Sequence, residues 1–544
     1  MTSCFRNRSA CAASTSSAAS RTRCIELPWL APVCGVMLTV LLAGCGAGAP
    51  STTKTAQAAD DTAQSQTPAA GVVAGKKVSA VSATEPAPPA RSGEDWPVFL
   101  GSQHTGVAGE TGISFDWPKN GPPVLWKKTV GTGYSAPSVR GNRLVIHHRP
   151  RSQGEIVSCL RADTGEPLWE YSYASSFSDP YGYNNGPRCT PLLTEDRCYT
   201  FGAEGKLLCL NLADGKKVWE RDTSADWKVT PGFFGVGATP VLEEGLLYVL
   251  VGGQPNSGVV AFRADNGETV WENSGKSTWD GAATDDPGKP TYEWTGEEMV
   301  VSYSSPLVAT IHGRKHLLCL MRQGLVSLDP ATGKEQFHHW FRSRTYESVN
   351  AARPVVIGSR IFLSAAYKTG SVLLEVAKDG QSVKEVWQDR RNLLTHWSTP
   401  IFTGEHIYGF SGRHEREGEL RCLSLETGKV VWSTTGFEGD LQKLRRDGTT
   451  GKIVNTETGE PVPFPFYGRG SKIQVGDHFI VLGERGTLAV VKISPEKWIE
   501  LGRTSYDEIS YPAWTAPVLS RQRIYLRDED SLLCLDVAPQ ARVE

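Results

Sequence analysis

One pattern of apolar and polar residues recurs along most of the chain. Short segments that alternate as β-strands do, such as Cys159-Leu160 and Cys209-Leu210, run into a turn with an acidic residue and glycine. An aromatic residue stands four positions after the glycine in Asp163-Thr164-Gly165 with Trp169, Asp214-Gly215 with Trp219, Asp265-Asn266-Gly267 with Trp271, Thr332-Gly333 with Phe337, and Glu426-Thr427-Gly428 with Trp432, and a looser copy places Trp387 after Asp379-Gly380. The acidic side chain can close the turn and glycine supplies positive φ, so each copy predicts a hairpin that presents an aromatic residue on a fixed face.

A proline marker lies upstream of each hairpin. The copies are Ser135-Ala136-Pro137, Thr190-Pro191, Thr239-Pro240, Ser305-Pro306, Arg353-Pro354, Thr399-Pro400 and Ala516-Pro517. Their spacing is roughly 50 residues, and the last interval is about twice as long, which leaves room for a unit without its proline at Ile473 to Leu501. Eight units with four strands each are typical of a propeller, not of a solenoid.

The two ends of the repeat complement each other. The last unit ends at Cys534-Leu535-Asp536-Val537 without a following tryptophan, while Pro123-Val124-Leu125-Trp126 is such a strand with no unit before it. Joining the two hides the sheet edge that either would expose. The sequence therefore predicts an all-β fold: an eight-bladed β-propeller of four-stranded antiparallel blades over residues 122–537, closed by the N-terminal strand joining the last blade.

The N-terminal region has the features of an export signal. Arginines precede an apolar run from Trp29 through Leu42 that is too short to span a bilayer comfortably. The run ends in Leu42-Ala43-Gly44-Cys45, which resembles the lipobox of bacterial lipoproteins and would make Cys45 the lipid attachment residue. An ordinary secretory signal that ends at a cysteine is the alternative. The predicted segments are a lipoprotein signal peptide (1–44), a flexible tether (45–93), a strip packed on the ring (94–121) and a C-terminal tail (538–544). The chain is then expected to be exported and lipid-anchored in the bacterial cell envelope, facing the periplasm.

Composition narrows the classes of partner. The formal net charge of −2 gives no electrostatic footprint for nucleic acid or for an anionic membrane surface. We therefore expect no nucleic-acid partner, and membrane contact only through the lipid anchor. The seven cysteines after Cys45 are an odd number without a C-x-x-C spacing, and several precede leucine at one repeated position. We expect them to be small buried residues and not disulfides.

The combination of strand, Asp/Thr-Gly turn and tryptophan resembles the repeat of the PQQ-like (pyrroloquinoline quinone) β-propeller family, within the quinoprotein alcohol dehydrogenase-like superfamily. The resemblance covers most of residues 122–537. In that family the repeated tryptophans dock between neighbouring blades. The resemblance therefore implies a structural docking role for Trp126, Trp169, Trp219, Trp271, Trp387 and Trp432.

Two kinds of family member imply different functions. The quinoprotein dehydrogenases bind pyrroloquinoline quinone and calcium in a central funnel, with a vicinal disulfide, a stacked tryptophan and a catalytic aspartate. The BamB-like lipoproteins of outer-membrane protein assembly have related blades and no cofactor. This chain has no adjacent cysteine pair and no haem motif, and its Cys45 matches the second kind. The favoured hypothesis is a non-catalytic binding or scaffold protein, with no catalytic residue, metal or cofactor assigned. The alternative is a quinone- and calcium-dependent dehydrogenase of small alcohols or sugars.

One face of the predicted ring carries the long connections, which span residues 272–303 and 434–469. Ligands favour such an irregular face, so a protein partner or small ligand is expected there. Residues just before each inner strand converge near the axis: Tyr134, Asn185, Arg188, Phe234, Tyr303, Ser304, Asn350, His396, Trp397, Arg469 and Trp514. These aromatic rings and donors could hold a planar or peptide ligand; alternatively, they fill the channel and cap the blade ends.

Candidate metal ligands are few. Asp280, Asp285, Asp286 and Glu293 lie in one long loop, but their spacing matches no EF-hand, and a solvated acidic loop explains them. His147 and His148 are neighbours on a strand and point to opposite faces, which argues against shared metal ligation.

Overall fold

The computed structural model describes residues 91–539 apart from 152–153, 230–233, 254–256, 344 and 346–347, and within 274–301 it describes only two short strands. All of these residues lie in one compact unit, residues 76–544. The expected signal peptide, Cys45, nearly all of the tether, and Asp280, Asp285 and Asp286 lie outside the described residues, as does the side chain of Glu293.

The described chain is built almost entirely of antiparallel sheets. It begins with two strands, β1 (Val107–Ala108) and β2 (Val124–Thr129), that later join other sheets. Sheet 1 contains β3 (Ser138–Arg140), β4 (Arg143–His148), β5 (Glu155–Arg161) and β6 (Pro167–Tyr173). Sheet 2 contains β7 (Leu192–Leu193), β8 (Arg197–Phe201), β9 (Lys206–Asn211) and β10 (Lys217–Asp222), and a short helix α1 (Thr223–Trp227) follows it. Sheet 3 contains β11 (Val241–Glu243), β12 (Leu246–Gly253), β13 (Ser257–Arg263) and β14 (Thr269–Asn273).

The same unit continues through the second half. After a two-stranded pair, β15 (Ala283–Thr284) and β16 (Tyr292–Glu293), sheet 4 contains β17 (Leu307–Ile311), β18 (Arg314–Leu320), β19 (Gly324–Leu328) and β20 (Glu335–Trp340). Sheet 5 contains β21 (Val355–Ile357), β22 (Arg360–Ala365), β23 (Gly370–Val376) and β24 (Val383–Asp389). Sheet 6 contains β25 (Ile401–Thr403), β26 (His406–Ser411), β27 (Glu419–Ser424) and β28 (Val430–Thr434).

The last two four-stranded sheets also include the early strands β1 and β2. A small three-stranded sheet, β29 (Leu444–Arg446), β30 (Ile453–Asn455) and β31 (Pro461–Val462), precedes sheet 7. Sheet 7 contains β32 (Ser471–Val475), β33 (His478–Leu482), β34 (Leu488–Lys492) and β35 (Ile499–Thr504), with β1 added parallel to β32. Sheet 8 contains β36 (Val518–Ser520), β37 (Arg523–Arg527) and β38 (Ser531–Asp536), and its fourth strand is β2, which pairs antiparallel with β38. The prediction of an all-β fold with repeated four-stranded antiparallel sheets is confirmed.

The hydrophobic core lies between adjacent sheets. The second and third strands are nearly fully buried, as in β5 and β9, whereas the fourth strands expose alternate residues. One cluster joins Val145, Val157 and Cys159 of sheet 1 to Leu208 and Leu210 of sheet 2. Burying aliphatic side chains in this way supplies most of the stabilising free energy. The seven cysteines of the described chain are buried and unpaired within these clusters.

The repeated tryptophans connect six of the eight described sheets to the next one. Trp169 Nε1 donates to Leu212 O at 2.9 Å, across the boundary between sheets 1 and 2. The same bond joins Trp126 to Ala162 (3.1 Å), Trp219 to Ala264 (2.9 Å), Trp271 to Pro330 (2.9 Å), Trp387 to Leu425 (2.8 Å) and Trp432 to Ser494 (3.1 Å). The ring also covers the turn glycine of the next sheet: a Cβ on Gly215 would lie 2.5 Å from Trp169. The repeated glycine and tryptophan therefore serve the same kind of contact: the turn glycine of one sheet lies against the tryptophan of the sheet before it.

Serine or threonine before a marker proline accepts a hydrogen bond from the backbone of the preceding unit. Thr190 N donates to Thr239 Oγ1 at 3.0 Å, and Thr239 N donates to Ser305 Oγ at 2.9 Å. The hydroxyl of one unit thus satisfies the backbone of the unit before it, which explains why serine or threonine recurs at this position. Arg353 N likewise donates to Thr399 Oγ1 at 3.1 Å.

The N-terminal strip crosses the ends of several first strands. Trp96 pairs with Val139 of sheet 1, Pro97 O accepts from Leu193 N of sheet 2 at 2.8 Å, and Gly106 O accepts from Gln474 N of sheet 7 at 2.8 Å. Among the described residues, no helix has the length and apolar character needed to cross a bilayer.

Candidate functional site

Aromatic side chains meet at the end of the molecule where the first strands begin. Tyr134, just before β3, lies 5.1 Å from Trp514, just before β36, measured between ring centroids. Trp514 lies 5.2 Å from Trp397, which precedes β25. On the other side, Phe234 and Tyr303 lie 5.5 Å apart, and Phe234 N donates to the Tyr303 hydroxyl at 2.9 Å. We call these rings, with the tyrosines and histidine described next, the aromatic belt.

Tyrosines from a longer connection complete the belt. Tyr183 lies 5.9 Å from Phe234 and 6.1 Å from Trp514, so it bridges the two groups of rings. Tyr181 also contacts Phe234, and Tyr511 contacts Trp514 edge-on. Tyr181, Tyr183 and Tyr511 are 51%, 55% and 45% exposed. The belt therefore has a half-buried layer and an exposed layer, and solvent reaches the tyrosines.

Tyr367 and His396 extend the belt toward sheet 5. The Tyr367 hydroxyl and His396 Nε2 lie 3.2 Å apart, and the His396 ring stacks obliquely on Trp397 at 4.9 Å. Burial, reinforced by the positive charges of Arg469 and Arg413, lowers the pKa of His396 to about 3. The imidazole is therefore neutral at physiological pH, and His396 serves as a hydrogen-bonding ring and not as a cation.

Two predicted arginines lie among the rings, and each is held by a buried carboxylate. Arg188 lies 5.8 Å from the centroids of Tyr134 and Phe234 and pairs with Asp179 at 2.8 Å. Arg469 lies 4.7 Å from Trp397 and 5.1 Å from Trp514 and pairs with Glu484 at 2.9 Å. The indole Nε1 of Trp514 donates to the same Glu484 at 2.9 Å. These pairs fix the orientation of the guanidinium groups against the rings.

Three predicted site residues are not among the rings and arginines of the belt, although the backbone N of Tyr303 donates to the carbonyl of Asn350 at 2.9 Å. Asn350 is buried, and its amide donates to the carbonyls of Met321 (2.9 Å) and Phe341 (3.1 Å), which is a structural arrangement. Ser304 is fully buried. Asn185 is exposed, and its Oδ1 accepts from Asp179 N at 2.8 Å, which helps to close the loop that carries Tyr181 and Tyr183.

Sequence reasoning missed Tyr181, Tyr183, Tyr367, Arg413 and Glu484. These residues lie in loops and hairpin ends, not directly before a first strand. The Tyr181-Gly182-Tyr183 run in the long connection between sheets 1 and 2 was the one available signal, because two exposed aromatic residues in a loop are unusual. The remaining residues reach the belt only through the fold.

The donor set does not fit a calcium-bound quinone. Calcium takes six to eight oxygen ligands, largely carboxylates and carbonyls. Among the described residues, no group of three or more His, Cys, Asp or Glu side chains is placed to hold a metal ion. The buried carboxylates of Asp179 and Glu484 beside the belt are both engaged by arginine, and half-buried Glu529 accepts hydrogen bonds from Thr132 Oγ1 at 3.1 Å and Asn184 Nδ2 at 2.6 Å. His147 and His148 have separate partners, the Tyr173 hydroxyl and Ser158 Oγ.

These repeated sheets, with tryptophans docked from one to the next, define the PQQ-like β-propeller class. The family model described as outer membrane protein assembly factor BamB matches residues 74–286 and 152–434, which together exceed half of the chain. The chain belongs to this family, and the predicted family resemblance is confirmed.

Individual relatives are distant. Outer membrane protein assembly factor BamB of Alkalilimnicola ehrlichii is 30% identical over 144 residues, which is 26% of this chain and 32% of that protein. The match thus spans about a third of that relative's length. The quinohemoprotein alcohol dehydrogenase of Comamonas testosteroni aligns over 83% of this chain and 81% of its own, with 13% identity and a TM-score of 0.53, and so shares the fold. BamB of Moraxella catarrhalis aligns over 77% of this chain and 99% of its own, with 13% identity and a TM-score of 0.47, a score too low to support an inference.

Proposed function

We propose that this protein is a non-catalytic, lipid-anchored binding protein of the bacterial cell envelope that takes part in the assembly of outer-membrane proteins. The assembly role follows the name of the family to which the chain belongs. The single observation that carries the binding role is the aromatic belt, with its exposed tyrosines and fixed arginines at one face.

The eight sheets are the blades of one ring in this proposal. Bonds from docked tryptophans run from sheet 8 to sheet 1 through Trp126, onward through Trp169 and Trp219, and again beyond sheet 5. Sheets 7 and 8 share a hydrophobic cluster that includes Ile473 and Val518. Pairing of β2 with β38 closes the ring and leaves the belt at one mouth of its axis.

The chemistry of the belt suits a protein partner. Tyrosine, tryptophan and arginine dominate the energetics of protein interfaces because they present large, rigid surfaces with a polar group. Here the exposed tyrosines lie above half-buried Phe234 and Trp514, so a partner side chain can bury apolar surface without prior rearrangement. Arg188 and Arg469 provide additional donors at fixed positions.

The rival function is the quinone-dependent oxidation of small alcohols or sugars, which the fold alone permits. That reaction needs a carboxylate base and a calcium site beside the quinone. The pairing of Asp179 and Glu484 with arginines disfavours these two carboxylates as the base, and the third carboxylate beside the belt, Glu529, is occupied by hydrogen bonds from Thr132 and Asn184. The proposal therefore assigns no redox step to the belt.

Complementation in the source bacterium tests the assembly role. Deleting the gene should lower the amount of β-barrel proteins in the outer membrane, and the full-length chain should restore it. A Tyr183→Ser/Tyr511→Ser double variant should be produced at normal levels yet fail to restore assembly. The matched control is Leu168→Ser/Leu501→Ser, which removes exposed apolar residues of the fourth strands, 43% and 51% exposed. Normal assembly in the deletion strain, or full rescue by the tyrosine double variant, would refute the proposal.

Two biochemical experiments test the other parts. Cys45→Ser should release the protein from the membrane fraction, and unchanged membrane retention would contradict the lipid anchor. Purified protein mixed with pyrroloquinoline quinone and calcium should show no alcohol-dependent dye reduction. Stoichiometric quinone binding with turnover would overturn the non-catalytic assignment.

A further inference from the structure

Arginines beside the aromatic belt follow one recurring arrangement. A guanidinium lies over an aromatic ring, and a carboxylate of the chain pairs with it. Arg188 has Asp179 at 2.8 Å, Arg469 has Glu484 at 2.9 Å, and Arg485, which lies 4.9 Å from the Tyr511 centroid, forms a two-point pair with Glu415. Each carboxylate both neutralises and orients its arginine.

Arg413 has the ring but not the carboxylate. Its guanidinium lies 4.5 Å from the centroid of Tyr367, and the residue is exposed. Among the described residues, no Asp or Glu side chain lies within ion-pair distance of it. The nearby Glu417 accepts hydrogen bonds from the backbone N of Arg413 at 3.0 Å and of His414 at 3.3 Å, so it caps the turn and does not pair with the guanidinium.

The surroundings hold Arg413 in place for an incoming anion. Arg469 Nη1 donates to the Arg413 carbonyl at 3.1 Å, which ties the hairpin end to the belt. His396, hydrogen-bonded to the same Tyr367, is neutral because of burial and so adds no second positive charge beside Arg413. Arg413 is therefore already positioned on Tyr367, and an acidic group of a partner can complete the ion pair.

We propose that Arg413 on Tyr367 is a subsite for a carboxylate of the partner, an aspartate or glutamate that lies next to an aromatic residue in an extended peptide segment. This inference rests on the proposed function, because it assigns the chemistry that the belt recognises. Charge complementarity indicates the occupant: the guanidinium of Arg413 would bind the carboxylate, and exposed Tyr181 and Tyr183 would contact the neighbouring aromatic side chain of the same segment. An occupant that contacts Arg413 and several of these rings at once must be a peptide segment, because a small planar acid is too short.

Matched peptides test the subsite on the full-length protein by calorimetric titration. The probes are acetyl-Trp-Asp-Trp-amide and acetyl-Trp-Asn-Trp-amide, which differ only in the carboxylate. We expect the acidic peptide to bind at least about threefold more tightly, a preference of the size expected for an exposed charge pair, and to lose that preference in high salt. Arg413→Gln should abolish the preference. Arg263→Gln, which removes an exposed arginine next to the Gly267 turn, should retain it.

The outcomes separate this inference from the proposed function. Equal affinity for both peptides in the unaltered protein, or an acidic preference that survives Arg413→Gln, would overturn the subsite while leaving binding by the belt intact. Failure of both peptides to bind would also overturn it. If the tricarboxylate pyrroloquinoline quinone then bound in an Arg413-dependent manner and turned over alcohol, the proposed non-catalytic function would fail as well.

Discussion

Lys472 is a buried amine to which the described residues offer no hydrogen-bond partner, and replacing it should stabilise the protein. The residue lies in β32 and is 2% exposed, and its Nζ lies 5.8 Å from the ring centroids of Phe410 and Phe479. No hydrogen-bond partner for Nζ is present in the described part of the chain. Burial lowers the pKa of Lys472 from 10.5 to about 7. Methionine has a similar length and suits this apolar site.

The magnitude follows from linkage between protonation and folding. Between pH 10.5 and pH 7 the unfolded chain binds a proton at this lysine and the folded chain does not, so stability falls as the pH falls. With about 1.4 kcal/mol for each pKa unit, the cost is about 2 kcal/mol at pH 9 and about 4 kcal/mol at pH 7, as upper values. Lys472→Met should therefore raise the free energy of unfolding by most at pH 7 and by less at pH 9.

Thermal or urea unfolding at both pH values measures this difference. The expected rise in Tm at pH 7 is a few degrees for a chain of this size. Lys492→Met is the matched control, because Lys492 is exposed at the end of β34, and it should leave stability nearly unchanged. A Lys472→Met protein that is no more stable than the original, or whose gain does not shrink from pH 7 to pH 9, would refute the reasoning.

Three further predictions concern the sheet boundaries. Gly215 has φ +71°, and a Cβ there would lie 2.5 Å from the Trp169 ring, whereas Gly245 has φ +79° and no atom within 4 Å of the Cβ position. Gly215→Ala should therefore lower Tm much more than Gly245→Ala does. Equal losses of Tm would show that backbone strain, and not the contact with the tryptophan, sets the cost. Trp169→Ala should cost about 3–5 kcal/mol in urea unfolding, and Trp169→Phe about 1–2 kcal/mol, because phenylalanine keeps part of the ring packing while it loses the hydrogen bond and the rest of the indole. Similar costs for the two variants would contradict the docking role. Burial opposes ionisation of Glu155, but hydrogen bonds from His147 and other groups prevail, so the pKa of Glu155 is lowered below 4.5. The ionised carboxylate therefore stabilises the protein above pH 4.5, and this stabilisation is lost as the pH falls through the lowered pKa. Glu155→Gln should flatten the decline of Tm between pH 5 and 3.

The fold could be predicted because its signals are local and repeated. Gly215 and Trp219 lie four residues apart, so the hairpin that contains them is visible in the sequence, and repetition separates it from chance. The partner of each tryptophan could not be assigned in the same way. The contact between Trp169 and the glycine turn of the next sheet became visible only with the register of the sheets.

The candidate site was predictable only in part. Tyr134, Trp397 and Trp514 directly precede first strands, so the repeat places them together. Tyr183 arrives through the path of a loop, which no periodicity describes. The pairing of Arg469 with Glu484 likewise depends on a hairpin end that the sequence marks only as a turn.

The union of β2 with β38 also sets the order in which the molecule can be completed. The two strands are about 400 residues apart, so β38 is synthesised long after β2. Sheet 8 therefore cannot form until the strands of the other seven sheets have been synthesised, and the edge of β2 stays unpaired until then. A chain cut short before Ser531 would retain most of its repeats yet leave the edge of β2 without its partner strand, a form that is exposed to proteolysis and aggregation.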